Sequence, residues 1–232
     1  MSDATLPPLR LTGRSGSHFT RVVRIVADEL AVPLAFDVVH DLLSLDPADF
    51  AGHPAMKLPT LHVPRPSSTG GYSPLFGTEN ICRKLVESAG RADDPRVVLF
   101  PSSDLVRNAQ ELVWQAMAAQ VQLVIGVRIG KLPAESPFFA KMTLGMLGSL
   151  AWIDERLPSV RAALGPENSR DFSLFEVTLF CLLEHIAFRP TVLLSGPAGP
   201  RFPSLHAFVQ AFATRESAQR TVYAADPPKE VQ

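Results

Sequence analysis

The residues able to do chemistry fall in three short stretches, Ser15-Gly16-Ser17, Lys57-Leu58-Pro59-Thr60 and Gly77-Thr78-Glu79. Ser17 stands where a strand pattern gives way to a helix, beside unpaired N–H groups and the positive end of a helix dipole. That setting favours an anion, although the same serine could simply cap the helix. Pro59 interrupts an otherwise strand-like segment, Leu58-Pro-Thr-Leu-His-Val63. Proline cannot donate to a sheet ladder, so it belongs at a strand's first residue, at an edge or at a bulge. It also pushes Leu58 into an extended conformation, leaving the Leu58 N–H and C=O for a partner. A trans bond makes Pro59 an ordinary strand opener; a cis bond turns the Leu58 backbone toward a pocket. Thr78 offers a hydroxyl where a further helix starts, a sensible place for a carboxylate and equally for a plain N-cap.

Other chemistries find no support. The six histidines never stand four residues apart and the two cysteines are distant, so no zinc site is expected. There is no Gly-rich phosphate loop and no Gly-x-Ser-x-Gly elbow. A net charge of −1 provides no basic field for nucleic acid or an anionic membrane. Hydrophobic residues make up 46% and charged residues 19% of the 232, values of a globular chain. Cys82 and Cys181 lie in apolar helical patterns and read as buried thiols rather than a disulfide, as suits a reducing cytosol. Met1–Thr5 has neither a basic nor an apolar signal region. Apolar runs such as 112–127 contain glutamines and fall short of a span. A soluble cytoplasmic protein is expected.

The elements that must position these residues follow from periodicity. Leu9–Thr12 alternates as a strand; Val22, Val23, Ile25, Val26 and Leu30 share one helical face; Val32–Val39 reads as a second strand. Residues 44–56 are irregular. The Pro59 strand, a Pro/Ser/Gly loop at 64–74, a strand at Tyr72–Phe76 and a helix marked by Ile81, Leu85 and Val86 complete a βαβ-ββα order. From Asp104 onward helix follows helix with no convincing strand. Leu105–Val127 is one long helix or two short ones. Ser136-Pro137 opens a helix that runs to Leu157-Pro158. Ser173-Leu-Phe-Glu176 is a capping box on a helix apolar almost all round. The expected fold is therefore α+β. A domain at 1–89 is followed by a linker at 90–101, an all-α domain at 102–216 and a mobile tail at 217–232.

His53-Pro-x-x-Lys57-Leu-Pro59-Thr-Leu61 lies about forty residues after Ser17-x-x-Thr-Arg-Val-Val-Arg24 and about twenty before Thr78-Glu-Asn-Ile81. With the later capping box and Phe202-Pro203-Ser-Leu-His-Ala-Phe208, this spacing resembles the cytosolic glutathione transferases over roughly residues 6–216. The resemblance implies a thioredoxin-like first domain with Pro59 cis, glutathione as co-substrate and no metal. The Leu58 backbone would pair with the glutathione cysteine like an added strand. Ser17 would donate its hydroxyl to the sulfur, with Ser15 the nearest rival in a serine-rich loop. Thr12 stands where a catalytic tyrosine would be, and no cysteine lies between residues 9 and 24. Thr78 would bind the γ-glutamyl carboxylate and Lys57 the glycine carboxylate.

In the same family an acidic residue precedes the Thr78 position, and here it is Gly77. That departure puts recognition of the γ-glutamyl amine in doubt. The implied activity is conjugation of glutathione to small apolar electrophiles by a homodimer pairing across 104–127 and the glutathione domain, with Trp114, Met117 and Leu123 either apolar contacts of the pair or, equally, intrachain core. A rival from a different class is a non-catalytic thiol-binding or interaction module on the same fold.

Overall fold

The computed structural model describes residues 7–65, 71–196 and 199–226. Met1–Thr5, residues 66–70 of the 64–74 loop and the end of the tail lie outside the described residues. The chain forms two compact units, one of residues 1–94 with 220–232 and one of 95–219.

The first unit is a four-stranded sheet with two helices. The strands are β1 (Leu9–Gly13), β2 (Leu34–Val38), β3 (Thr60–Pro64) and β4 (Tyr72–Phe76), in the order β2-β1-β3-β4. The β1–β2 pair is parallel, and β3 runs antiparallel to both β1 and β4. Helix α1 (His18–Glu29) crosses from β1 to β2 and packs beside α2 (Thr78–Ser88), which follows β4. The apolar spacing works as the helical period requires. Val22, Val23, Ile25 and Val26 of α1, Ile81 and Leu85 of α2, and the cross-strand pair Leu11–Leu61 are all fully buried. Residues 44–56 contain only one 3-10 turn, Pro47–Phe50, whose Phe50 is buried.

The alternate strand positions carry polar groups. Arg10 holds Asp37 through two hydrogen bonds of 3.1 and 2.7 Å, and Thr12 Oγ1 lies 3.2 Å from His62 Nε2. These residues and Tyr72 line a cavity of about 380 Å³.

The second unit is helical, with two small additions that the sequence pattern did not signal. They are two-residue strand pairs: β5 (Val97–Val98) with β6 (Phe172–Ser173), and β7 (Ser195–Gly196) with β8 (Gly199–Pro200). Helix α3 (Asp104–Gln122) continues into a π-helical turn, Leu123–Ile129, so the 105–127 pattern is one continuous stretch. By length and composition Asp104–Ile129 would suffice to cross a membrane, contrary to the shortfall expected from its glutamines. Those glutamines instead tie it into the bundle: Gln110 donates to Thr178 Oγ1 at 3.0 Å, and Gln120 pairs with His185 Nδ1 at 3.1 Å. Met117 and Leu123, open between dimer contact and core, are buried in this unit's own core, and Trp114 is half-buried. The exposed large apolar residues are elsewhere, Phe138 and Leu144 among them.

Helix α4 (Pro137–Ala163) passes through Pro158 rather than ending there. A mid-helix proline costs about 3 kcal/mol. Burial of the flanking Leu157 and Val160, at about 1.5–3 kcal/mol each, offsets it. Helix α5 (Leu174–Phe188) is buried on nearly every side, as its apolar composition demands. Helices α6 (Pro203–Phe212) and α7 (Glu216–Arg220) follow. Of the stretch expected to be a mobile tail, residues 217–220 lie in α7 and the described residues 220–226 belong to the first unit. Cys82 and Cys181 are buried thiols in different units.

Candidate functional site

The register of the sheet gathers the three chemical stretches at one end. Thr60 pairs with Thr12 on one side and Phe76 on the other. One residue beyond that row lie Gly13, Pro59 and Gly77. Because β1 and β4 both run antiparallel to β3, the helices that follow them, α1 and α2, start at this same end. The chain into β3 enters between them.

Ser17 is the N-cap of α1, with φ −99° and ψ 125°, and its Oγ accepts the Thr20 N–H at 3.3 Å. The capping role is thus real. A hydroxyl has one proton to donate beyond the bonds it accepts, so the cap leaves the Ser17 O–H able to donate to a sulfur. The helix comes close to β1 here: a Cβ at Gly13 would fall 2.5 Å from Thr20 Cγ2. Thr12, at the position of a possible tyrosine, turns its hydroxyl to His62.

The Leu58–Pro59 bond is cis, as the family resemblance implied. Leu58 lies outside the ladder, and its backbone groups make no hydrogen bond with a described residue. The loop leading to it rests on His53, a residue whose role was not legible beforehand. Its buried ring lies 4.2 Å from that of Phe76, and its Nδ1 accepts the Ala55 N–H at 3.0 Å. Burial holds the His53 pKa below the ordinary histidine value, with nearby Lys57 acting in the same direction. A neutral ring is what an accepting Nδ1 requires. Lys57 itself is exposed at the edge of this loop.

At the start of α2, Gly77 rather than Thr78 is the N-cap, and no side chain caps the helix. Thr78 is the first helical residue and is buried. Gly77 has φ +86°, a conformation that disfavours any residue with a Cβ. Glycine here therefore answers a backbone demand as well as departing from the acidic pattern. Glu79, in the first turn, is partly exposed and only loosely paired with Arg83 at 3.9 Å. Among the described residues no cluster of three metal-ligating side chains occurs.

Two further residues at this end escaped the sequence pattern. Asp226 takes the Ser15 N–H, at 3.1 Å to each carboxylate oxygen, and lies 3.4 Å from Arg14 Nε. The Ser15 amide is thus engaged by a carboxylate, while the Ser15 and Ser17 hydroxyls each keep a proton to give.

No protein-family model and no curated protein sequence matches the chain. Solved structures do match its fold. A glutathione S-transferase from Methylobacillus flagellatus KT with glutathione bound superposes with a TM-score of 0.69 at 22% identity, covering 93% of this chain and all of the other. A glutathione transferase family member from Pseudomonas fluorescens Pf-5, also with bound glutathione, gives 0.71 at 18% identity, covering 94% and 100%. A glutathione S-transferase from Methylobacterium radiotolerans in complex with glutathione sulfonate gives 0.69 at 21% identity, covering 97% and 100%. The chain has the glutathione S-transferase fold.

Proposed function

We propose that the protein is a glutathione transferase that joins the glutathione thiolate to small apolar electrophiles. One observation carries the reading. Two helices begin at the same end of the sheet, on either side of a chain whose Leu58 backbone makes no hydrogen bond with a described residue. A tripeptide thiol with a carboxylate at each end suits that arrangement. The Leu58 N–H and C=O pair with the central cysteine as a further strand would. The uncapped start of α2, with Thr78, holds the γ-glutamyl carboxylate, and Lys57 faces the glycine carboxylate.

Ser17 supplies the chemistry. A thiol titrates near 8.5, and lowering that by about two units stabilises the thiolate by about 2.7 kcal/mol. A hydroxyl hydrogen bond to an anion together with a helix dipole is of that order. The thiolate sulfur attacks the electrophilic carbon, a C–S bond forms, and the leaving group departs with the electron pair. Steady-state conjugation of glutathione to an activated aryl chloride tests the activity. The expected result is turnover well above the uncatalysed rate, falling at least tenfold in Ser17→Ala. Turnover no faster than in solution rejects it.

The Ser17–Thr20 capping hydrogen bond also favours a second reading. A serine needed only as a cap would leave a thiol-binding or interaction module without catalysis. Such a module would bind glutathione and leave its thiol pKa unchanged.

A cytoplasmic homodimer completes the proposal. Sedimentation at micromolar concentration should give twice the 25.2 kDa of the chain, and a single species of that mass would reject it.

A further inference from the structure

Residues 220–226 lie along α1 as a strap with three regularly spaced contacts. Arg220 grips Asp28 through Nε–Oδ1 at 3.0 Å and Nη2–Oδ2 at 2.8 Å. The Tyr223 ring lies 4.4 Å from the Arg21 guanidinium carbon. Asp226 closes on Ser15 and Arg14. Three extended residues cover about 10 Å, and the helix from Arg21 to Asp28 rises about the same distance. The strap can therefore run straight and antiparallel to the helix, from its last turn to the loop before its first.

The last contact reaches the candidate site. The Asp226 side chain is only 3% exposed, and a carboxylate so buried is costly unless paired. It is paired twice, with the Ser15 amide and the Arg14 guanidinium. Arg14 Nη1 in turn donates to the His40 carbonyl at 2.8 Å, and the Arg14 carbonyl accepts the Ser17 N–H at 3.1 Å. The chain of contacts thus runs from Asp226 through Arg14 to the backbone of the residue whose hydroxyl is to meet the thiol.

We propose that Asp226 is a positioning residue for the thiol site: by fixing Arg14 and Ser15 it aims the Ser17 hydroxyl, and the 220–226 strap belongs to the working site. This rests on the reading of Ser17 given above. Asp226 touches neither thiol nor electrophile and acts only through the loop.

The test is the ultraviolet absorbance of the glutathione thiolate bound to the full chain, followed against pH. Wild type should show an apparent thiol pKa well below 8.5. Asp226→Ala should raise it by about one unit, a tenfold smaller thiolate fraction at any pH below both values. Asp226→Asn keeps an oxygen for the Ser15 N–H and should recover most of the lowered value. If Asp226→Ala does not fold, Asp226→Ser, too short to reach both partners, should show the same rise. A lowered pKa retained in Asp226→Ala or Asp226→Ser, with only the melting temperature reduced, overturns the proposal. A wild-type thiol titrating near 8.5 instead overturns the Ser17 reading, and this inference with it.

Discussion

The start of α2 and the start of α5 are both helix N-termini, and they are finished in opposite ways. At α5, Ser173 Oγ accepts the Glu176 N–H at 3.2 Å and donates to the Glu176 carboxylate at 2.8 Å. Arg170 then holds that carboxylate through two bonds of 3.0 and 2.7 Å. Burial alone would raise the Glu176 pKa. The hydrogen bonds and charge of Arg170, with Ser173 and Arg161, outweigh it and hold the group below the ordinary carboxylate value. At α2 the N-cap is a glycine with no side chain to offer. A helix that satisfies its own first turn is architecture; one that leaves it open has room for a ligand's carboxylate. Helix α1 combines the two, since Ser17 caps it and still has a proton to donate.

Breaking the closed terminus should have the largest effect. Glu176→Ala leaves the Arg170 guanidinium buried without its partner and should cost about 3–5 kcal/mol, read by urea denaturation. Glutathione affinity of the folded fraction should not change. The same pair sets an acid limit. Because the folded pKa of Glu176 lies below its unfolded value near 4.5, its contribution is complete above that pH. It is lost as pH falls through the folded value. Loss of this unit's stability between pH 7 and 5 would contradict the assignment to Glu176.

The open terminus should respond in the reverse sense. If Thr78 holds the γ-glutamyl carboxylate as proposed, Thr78→Ala should lose one charge-assisted hydrogen bond, about 1.5–3 kcal/mol, or roughly ten- to a hundredfold in glutathione affinity by calorimetry. Its stability should change far less than that of Glu176→Ala. Unaltered affinity would mean that the α2 terminus does not hold the carboxylate.

A smaller effect is expected at Gly77. An acid there would match the family pattern for gripping the γ-glutamyl amine, but the backbone at Gly77 has φ +86°. Gly77→Glu should destabilise the first unit by about 1–2 kcal/mol through left-handed strain. Comparing glutathione with its desamino analogue on the unaltered protein is the cleaner probe. Similar affinity for both fits the absence of an acid, and a large loss with the analogue implicates another group such as Glu79.

The difference between these regions also marks what could be read from the residues alone. Local rules were enough for the Ser17 cap, the proline at the mouth of β3 and the Ser173–Glu176 box, because proline, capping residues and helical period act over a few positions, whereas the cis bond at Pro59 came only from the family resemblance. Pro158 misled because a strong local breaker was outweighed by burial on both sides of it. For Met117 and Leu123 the residues left dimer contact and intrachain core both open, because period gives a face without saying what covers it, and their burial decides for the core. Gly77 looked like a lost acid, and only the backbone angle revealed its other reason. The spacing Arg220-x-x-Tyr223-x-x-Asp226 sat in a polar, proline-bearing stretch with no apolar rhythm. Its partners lie some two hundred positions earlier, so nothing local could announce it.

The central claim is that Ser17 turns a cap into a thiolate donor, and its direct test is the pH titration of bound glutathione in wild type and Ser17→Ala. The account predicts an apparent thiol pKa about two units below 8.5 in wild type, returning close to 8.5 in the variant while the peptide still binds. A wild-type value near 8.5, or a lowered value that survives in Ser17→Ala, would contradict it.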